Sequence, residues 1–240
     1  AVLTCIDEDH IEYHGSHKAY RDEKLKLFKM LSAGRRKPGV KKVAILNQDD
    51  PYYEEFKDVP CDVTNTYGLK RGTYVATDLE LHPTRTEFLL SIPNDKERIV
   101  TKFVGKLNVY NALAAVGVGL ACGMNLRSIK EALGKAPTVP GRQELVSAGQ
   151  EFAVVVDYAH TVDSLRQVCG IFKPLTKGRF ILVFGCTGGG RDKAKRPLMG
   201  KVADECADMI VVTDDDPYEE NRIGILKEIA IGIKRKEGEG

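Results

Sequence analysis

The sequence predicts an α/β protein whose parallel strands alternate with helices. Three apolar runs rich in Val and Ile occur at 152–156, 179–184 and 209–212, and a helix-like segment follows each of them, at 162–172 after the first run and at 221–234 after the third. Such alternation is typical of a parallel sheet that is covered on both faces. A polar loop follows each run, and ligands bind outside the carboxyl ends of the strands in open α/β sheets. We therefore expect a binding site at this edge.

The middle loop has the composition of an anion site. Four glycines lie between Phe184 and Arg191, and the basic segment K-A-K-R starts at Lys193. Glycines allow a tight turn that exposes backbone N–H groups, and the start of a following helix attracts negative charge. The loop matches neither G-x-G-x-x-G nor G-x-x-x-x-G-K-[ST], the two common nucleotide fingerprints. A plain glycine-rich turn beside solvated lysines is the alternative interpretation.

Composition is that of a globular enzyme with one large or two ordinary domains. The chain has 240 residues, 42% of them hydrophobic, and a net charge of +2, which gives no case for a nucleic-acid partner. No apolar run approaches the roughly 18 residues that span a bilayer. The six cysteines are scattered without a C-x-x-C pair, which favours reduced thiols. We expect a cytoplasmic monomer with no membrane partner.

The first part of the chain has a different pattern, and a domain boundary follows it. The expected elements are short strands at 1–6, 43–46, 74–76, 87–92 and 99–103, then buried helices at 108–122 and 126–133. The segment T-V-P-G-R at 138–142 interrupts helix and strand alike. We therefore expect two domains, residues 1–140 and 141–240.

An acidic cluster near the start suggests a metal site. Asp7, Glu8, Asp9 and His10 follow the first strand, and His10 lies four residues before His14. Carboxylate oxygens suit Mg²⁺, a hard cation. The alternative is a charged surface loop before an amphipathic helix, and the spacing alone favours that alternative.

Taken together, these motifs resemble the Mur ligases, in particular the UDP-N-acetylmuramoyl-tripeptide synthetase (MurE) type. The resemblance covers nearly the whole chain, in the order of the family. The matching segments are D-H-I-E-Y-H-G at 9–15, Y-R-D-E-K-L-K-L-F at 20–28, N-V-Y-N-A-L-A-A at 108–115, P-G-R at 140–142, D-Y-A-H-T at 157–161, R-D-K-A-K-R-P at 191–197 and T-D-D-D-P at 213–217.

The resemblance implies a fold and a reaction. The fold would be part of the central ATPase domain followed by part of a Rossmann-like C-terminal domain with a parallel sheet. ATP would phosphorylate the carboxylate of UDP-N-acetylmuramoyl-L-alanyl-D-glutamate, and the amine of L-lysine or meso-diaminopimelate would displace the phosphate. ATP and Mg²⁺ are the implied cofactors. Folylpolyglutamate synthase, a related amide ligase, and a non-catalytic α/β ligand-binding module remain as alternatives.

Site residues follow from the matched positions. By resemblance, His10 is a Mg²⁺ ligand, and Lys24 is carbamylated so that its oxygens help to position the metal. His160 lies where the γ-phosphate meets the substrate. The implied nucleotide residues are Asn108, Asn111, Arg142 and Asp157, and the implied substrate residues are Asp214, Asp215, Asp216, Arg191 and Lys193.

Each nucleotide residue also has an ordinary structural interpretation. Asn108 could cap a helix and Asn111 could be a polar residue of its first turn. Arg142 could be a linker charge, and Asp157 could cap the helix that follows its strand.

Three departures from the family pattern carry expectations of their own. The family's G-T-N-G-K-T and G-K-G-H-E segments are not in this sequence, so we expect an internal part of a longer ligase that is inactive by itself. Val162 replaces the proline of D-Y-A-H-T-P, a minor change at a helix start.

Tyr218 occupies the place of the arginine that pairs with the distal carboxylate of diaminopimelate. An acidic loop attracts a lone ammonium, which favours L-lysine unless Arg222 replaces the missing arginine.

Overall fold

The computed structural model describes residues 1–6, 14–190 and 193–234. The chain forms two compact units, Ala1–Pro137 and Thr138–Gly240, and each is described here by itself. The expected division into ligase domains at residue 140 stays a prediction. His10 and Arg191, two of the predicted site residues, lie outside the described residues.

The first unit is built on a mixed sheet of six strands in the order β1-β2-β3-β4-β5-β6. Strands β1 to β4 pair in parallel, whereas β4, β5 and β6 form an antiparallel meander. The strands are β1 (Val2–Leu3), β2 (Val43–Asn47), β3 (Val63–Gly68), β4 (Tyr74–His82), β5 (Arg85–Ile92) and β6 (Asp95–Thr101). The parallel part brings the carboxyl ends of β1, β2 and β3 to one edge.

Four described helices complete the first unit: α1 (His17–Ala33), α2 (Tyr53–Lys57), α3 (Lys106–Ala121) and α4 (Leu126–Lys135). Helix α3 is apolar around most of its circumference because it packs on the sheet, and Val109, Leu113 and Val116 are fully buried. Helix α1 starts where the Ser16 hydroxyl accepts a hydrogen bond from the Ala19 N–H, at 3.1 Å. Its one buried residue, Phe28, packs edge-on against Phe56 of α2.

The second unit contains the expected parallel strands only in part. Strands β9 (Ile181–Phe184) and β10 (Met209–Val212) pair in parallel, as the sequence predicts. Strand β8 (Val154–Val156) instead pairs antiparallel with β7 (Glu144–Val146), so the expected three-strand parallel sheet is wrong for the described residues. The reason is local: β7 lies a few residues before β8 in the chain and forms a short hairpin with it.

The described part of the second unit contains three helices: α5 (Val162–Phe172), α6 (Lys195–Cys206) and α7 (Arg222–Ala230). Helix α5 has the predicted bounds, and a capping box between Thr161 and Ser164 fixes its start. Helix α7 is shorter than the predicted 221–234 segment. No helix among the described residues is long and apolar enough to cross a membrane.

Candidate active site

The predicted adenine residues lie at the first turns of α3. The Asn111 amide donates to Asn108 Oδ1 at 3.1 Å, and the Asn108 amide donates to the Val104 carbonyl at 2.9 Å. This chain of hydrogen bonds fixes both amide groups, and Asn111 is exposed. Asn111 is therefore an exposed amide held in place by Asn108, and its donor and acceptor groups suit the edge of a base.

Lys24 is an exposed residue of α1. Its Nζ lies 4.8 Å from the centre of the Tyr20 ring, and the His14 ring lies 5.2 Å from the same ring. His14 and Lys24 therefore both contact the Tyr20 ring near the start of the helix. An ammonium has no lone pair for a metal, so Lys24 could hold Mg²⁺ only after carbamylation.

A hydrogen-bond hub that none of the sequence motifs predicts lies at the carboxyl end of β2. Asp49 Oδ2 accepts hydrogen bonds from the Leu69 N–H, at 2.6 Å, and from the Tyr110 hydroxyl, at 3.0 Å. Burial and the bond to Asp49 raise the pKa of Tyr110 to about 12. Tyr110 lies between Asn108 and Asn111 in the sequence of α3. The Asp49 carboxylate therefore connects the helix that carries the predicted adenine residues with the turn between β3 and β4.

The loop after β2 also forms hydrogen bonds with the segment that follows β1. The Asn47 amide donates to the Thr4 carbonyl at 2.8 Å, and the buried Asp50 carboxylate accepts from the Ile6 N–H at 2.9 Å. A cleft of about 510 Å³ opens beside this loop and is lined in part by Tyr53, Lys70 and Arg71. The sequence feature that could have predicted this hydrogen-bond hub is the pattern N-x-D-D directly after an apolar strand.

In the second unit, the Tyr158 ring contacts two of the predicted site residues, Arg142 and His160. The Arg142 guanidinium lies 4.8 Å from the centre of the exposed Tyr158 ring, and the His160 ring lies 4.9 Å from it. Asp157 accepts hydrogen bonds from the Gln143 and Ala159 N–H groups, each at 2.9 Å. Asp157 therefore shapes its own loop and does not cap α5, which Thr161 caps.

Two loops at the carboxyl ends of β9 and β10 pack closely on each other. A Cβ atom at Gly185 would lie 2.4 Å from the Thr213 carbonyl oxygen, and one at Gly188 would lie 2.2 Å from that of Pro217. The Tyr218 ring covers Gly189 in the same way, with a backbone φ of +51° at Tyr218. A larger side chain at Gly185 or Gly188 would collide with the backbone of the facing loop, so both positions require glycine for the two loops to pack this closely.

The glycine loop is therefore not the open set of N–H groups that its composition predicts. The Gly188 N–H donates to the Asp216 carbonyl at 3.0 Å, and the Gly190 N–H donates to Glu220 Oε1 at 3.3 Å. Two of its donors thus have protein acceptors. These two N–H groups are therefore not available to an anion in this structure.

A buried arginine holds the base of this loop. The side chain of Arg196 is 1% exposed, and its Nη1 contacts Glu220 at 3.0 Å and Glu228 at 2.6 Å. Its Nη2 donates to the Thr187 carbonyl at 3.3 Å. Lys193 also contacts Glu220, at 3.0 Å, and is 57% exposed. The Arg196 and Lys193 hydrogen bonds lower the pKa of Glu220 to about 2.

The three aspartates of the β10 loop differ in their surroundings. Asp214 is paired with Arg222 at the start of α7, with Nε at 2.6 Å from Oδ2. Asp215 accepts a hydrogen bond from the Thr187 hydroxyl at 3.0 Å. Asp216 is exposed and has a backbone φ of +38°. Of the three aspartates, Asp214 is therefore neutralised by a cation, whereas Asp215 has a neutral hydrogen-bond donor.

Among the residues that the structure describes, one group of side chains has metal-ligand character, namely Glu80, His82 and Glu87. Arg98 pairs with Glu80, and Arg85 contacts Glu87 at 2.8 Å, so cations already occupy these carboxylates. The group is not at the predicted metal site.

Comparison with known proteins connects these loops to a family. Residues 1–119 match the family model of the Mur ligase middle domain, and residues 141–238 match that of the Mur ligase glutamate ligase domain. The chain belongs to the Mur ligase family. The matched ranges contain all of the predicted site residues, from His10 in the first to Asp216 in the second.

Relatives of this Mur ligase chain have a common name. Proteins named UDP-N-acetylmuramoyl-L-alanyl-D-glutamate--2,6-diaminopimelate ligase are 40% identical over 99% of the chain in Geobacillus thermodenitrificans and 42% identical over 98% in Caldanaerobacter subterraneus subsp. tengcongensis. A solved structure with the same name is 30% identical, covers 98% of the chain and has a TM-score of 0.66. The chain spans 48%, 47% and 47% of these three proteins, about half of their length.

Proposed function

We propose that this Mur ligase chain is part of an ATP-dependent ligase that adds a diamino acid to UDP-N-acetylmuramoyl-L-alanyl-D-glutamate in peptidoglycan synthesis. The observation that carries the proposal is the identity of about 40% with ligases of that name over nearly the whole chain. ATP would transfer its γ-phosphoryl group to the substrate carboxylate. The amine would then attack the acyl phosphate, forming the amide and releasing phosphate. We place the enzyme in the cytoplasm as a monomer.

Two sets of described residues support the nucleotide part of this proposal. In the first unit, the exposed amide of Asn111, held by Asn108, is suited to accept from the amino group of adenine. In the second unit, the exposed Arg142 guanidinium, held over Tyr158, is suited to contact the base or the phosphates, and half-buried Asp157 keeps oxygen lone pairs for the ribose. His160 and Lys193 would stabilise charge that develops on the phosphate oxygens.

Magnesium fits the described residues only through Lys24. Its side chain is exposed, so its neutral amine can add to carbon dioxide with release of a proton, and the carbamate that forms presents oxygen donors. His10, the other ligand implied by the family, lies outside the described residues. When bound, Mg²⁺ would neutralise negative charge on the phosphate oxygens.

We further propose meso-diaminopimelate as the added amino acid, although the acidic loop alone favours L-lysine. The names of the relatives support this choice. In the loop itself, Arg222 pairs with Asp214 and is 70% exposed. A guanidinium binds a carboxylate in bidentate fashion, so Arg222 can exchange Asp214 for the distal carboxylate of the substrate.

The proposal is tested with the ligase that carries this chain, ATP, UDP-N-acetylmuramoyl-L-alanyl-D-glutamate and meso-diaminopimelate. The expected products are the tripeptide, ADP and phosphate in equal amounts. Asn111→Ala should raise KM for ATP about tenfold, which corresponds to roughly 1.4 kcal/mol. Leu107→Ala, on the same helix turn, is the matched control. Formation of a folate polyglutamate and no tripeptide would assign the chain to folylpolyglutamate synthase instead.

A further inference from the structure

Glu220 occupies a central position in the second unit that no assigned role explains. Its side chain is 18% exposed and meets three donors: Arg196 and Lys193, each at 3.0 Å, and the Gly190 N–H at 3.3 Å. These donors come from the glycine loop and from the segment that follows it. One carboxylate thus joins both sides of residues 191–192, which the structure does not describe.

The neighbouring carboxylate of Glu228 separates two explanations for this arrangement. Arg196 is buried, so its charge needs a partner, and Glu228 supplies one at 2.6 Å. Glu228 has no described contact with Lys193 or Gly190. Neutralising Arg196 therefore accounts for Glu228, whereas the contacts of Glu220 with Lys193 and Gly190 require a different reason.

We propose that Glu220 is a positioning residue that fixes the glycine loop and the Lys193 ammonium for the incoming amino acid and the phosphorylated carboxylate. This inference rests on the proposed function. Lys193 is 57% exposed, and a free lysine side chain samples many rotamers. Holding its ammonium at Glu220 reduces that freedom before the substrate arrives, and preorganised charge is what stabilises an acyl-transfer transition state.

The loop packing gives this role a structural basis. The Glu220 N–H donates to the Pro217 carbonyl at 3.0 Å, and the same carbonyl oxygen is the atom that a Cβ at Gly188 would meet. Glu220 therefore contacts the glycine loop through its side chain and the β10 loop through its backbone. A change at its carboxylate should loosen Gly190 and Lys193 without removing the packing of Gly188 on Pro217.

The test compares Glu220→Gln with Glu228→Gln, because each removes one carboxylate from Arg196. The Gly190 N–H is bonded to Oε1 of Glu220, whereas Arg196 contacts Oε2. A glutamine has an oxygen at only one of these two positions, so the side chain introduced by E220Q cannot accept from both donors in this arrangement. We expect E220Q to raise KM for the diamino acid at least tenfold and to leave KM for ATP within twofold. E228Q should leave both values within twofold of the wild type.

A second readout needs no substrate. Hydrogen exchange of the Gly190 amide, measured on this chain, should be at least tenfold faster in E220Q and unchanged in E228Q. Equal effects of the two variants on KM and on exchange would overturn the proposal, because they would show that Glu220 only neutralises Arg196. Absence of amide formation in the wild type would instead refute the proposed function, while the exchange measurement still decides whether Glu220 holds the loop.

Discussion

The Tyr110 hydroxyl donates a hydrogen bond to the Asp49 carboxylate at 3.0 Å, although the two residues are 61 positions apart in the chain. Asp49 also holds the Leu69 N–H, so a single carboxylate connects α3 with the turn after β3. Helix α3 carries both predicted adenine residues. The orientation of that helix thus depends on a polar contact as well as on its apolar packing.

Tyr110→Phe removes this hydroxyl and keeps the ring. Because the acceptor is a carboxylate, we expect the free energy of unfolding to fall by about 1–2 kcal/mol. Urea denaturation measures the change. Tyr53→Phe is the control, since the Tyr53 hydroxyl has no hydrogen-bond partner among the described residues. Equal stability of Y110F and the wild type would mean that the bond contributes nothing to the fold.

Gly188→Ala should disrupt the contact between the two loops of the second unit. Its Cβ would lie 2.2 Å from the Pro217 carbonyl oxygen, so the backbone must move, at a cost of about 1–3 kcal/mol. Thermal unfolding is the measurement. Gly178→Ala is the control, because no atom lies within 4 Å of a Cβ at that position. Similar melting temperatures for the two variants would contradict the close approach.

Stability in acid should depend on Glu220. Its pKa in the folded chain, about 2, lies below the ordinary value of 4.5, so its charged form stabilises the fold at neutral pH. This contribution is lost as the pH falls from about 5 toward 2. The free energy of unfolding should therefore fall less steeply over that range in Glu220→Gln than in the wild type. Parallel pH curves for the two proteins would argue against the ion pairs.

Arg222 should decide between the two diamino acids. A competition assay with L-lysine and meso-diaminopimelate should show a preference for diaminopimelate in the wild-type ligase. Arg222→Ala should reduce that preference at least tenfold, because the distal carboxylate loses its bidentate partner. Arg166→Ala, which changes another exposed arginine of the second unit, is the control. A wild-type preference for L-lysine would contradict this prediction and would support L-lysine as the added amino acid, which the acidic loop alone favours.

Lys24→Ala should reduce turnover at least a hundredfold if the carbamate helps to hold Mg²⁺, since metal binding is a large electrostatic contribution to phosphoryl transfer. Added bicarbonate should not restore activity, because alanine has no amine to carbamylate. Steady-state turnover at saturating ATP is the measurement, and Lys29→Ala on the same helix is the control. Near-normal turnover in K24A would show that Lys24 is an ordinary surface lysine that does not help to hold Mg²⁺.

Local patterns in the sequence were sufficient for most of the elements. The apolar runs predict β2, β9 and β10, and the spacing of apolar residues predicts α3 and α5, because side-chain direction repeats with the period of each structure. Strand β8 shows the limit of this reasoning. Its residues indicate a strand, but its hydrogen-bonding partner is β7 and not β9, and composition does not determine which edge a strand joins.

The sequence by itself determined the family, the order of the motifs along the chain and the residue types that we predict at the site. Only the tertiary structure decided which of those groups are already bound to protein atoms. Arg196, a basic residue of the predicted anion site, is buried between two glutamates, and two N–H groups of the glycine loop have acceptors in the chain. Asp49 is a hydrogen-bond hub because the fold brings the Tyr110 hydroxyl to 3.0 Å from its carboxylate. Such partners are far apart in sequence, and a hydrogen bond depends on distances of a few tenths of an ångström that packing alone sets.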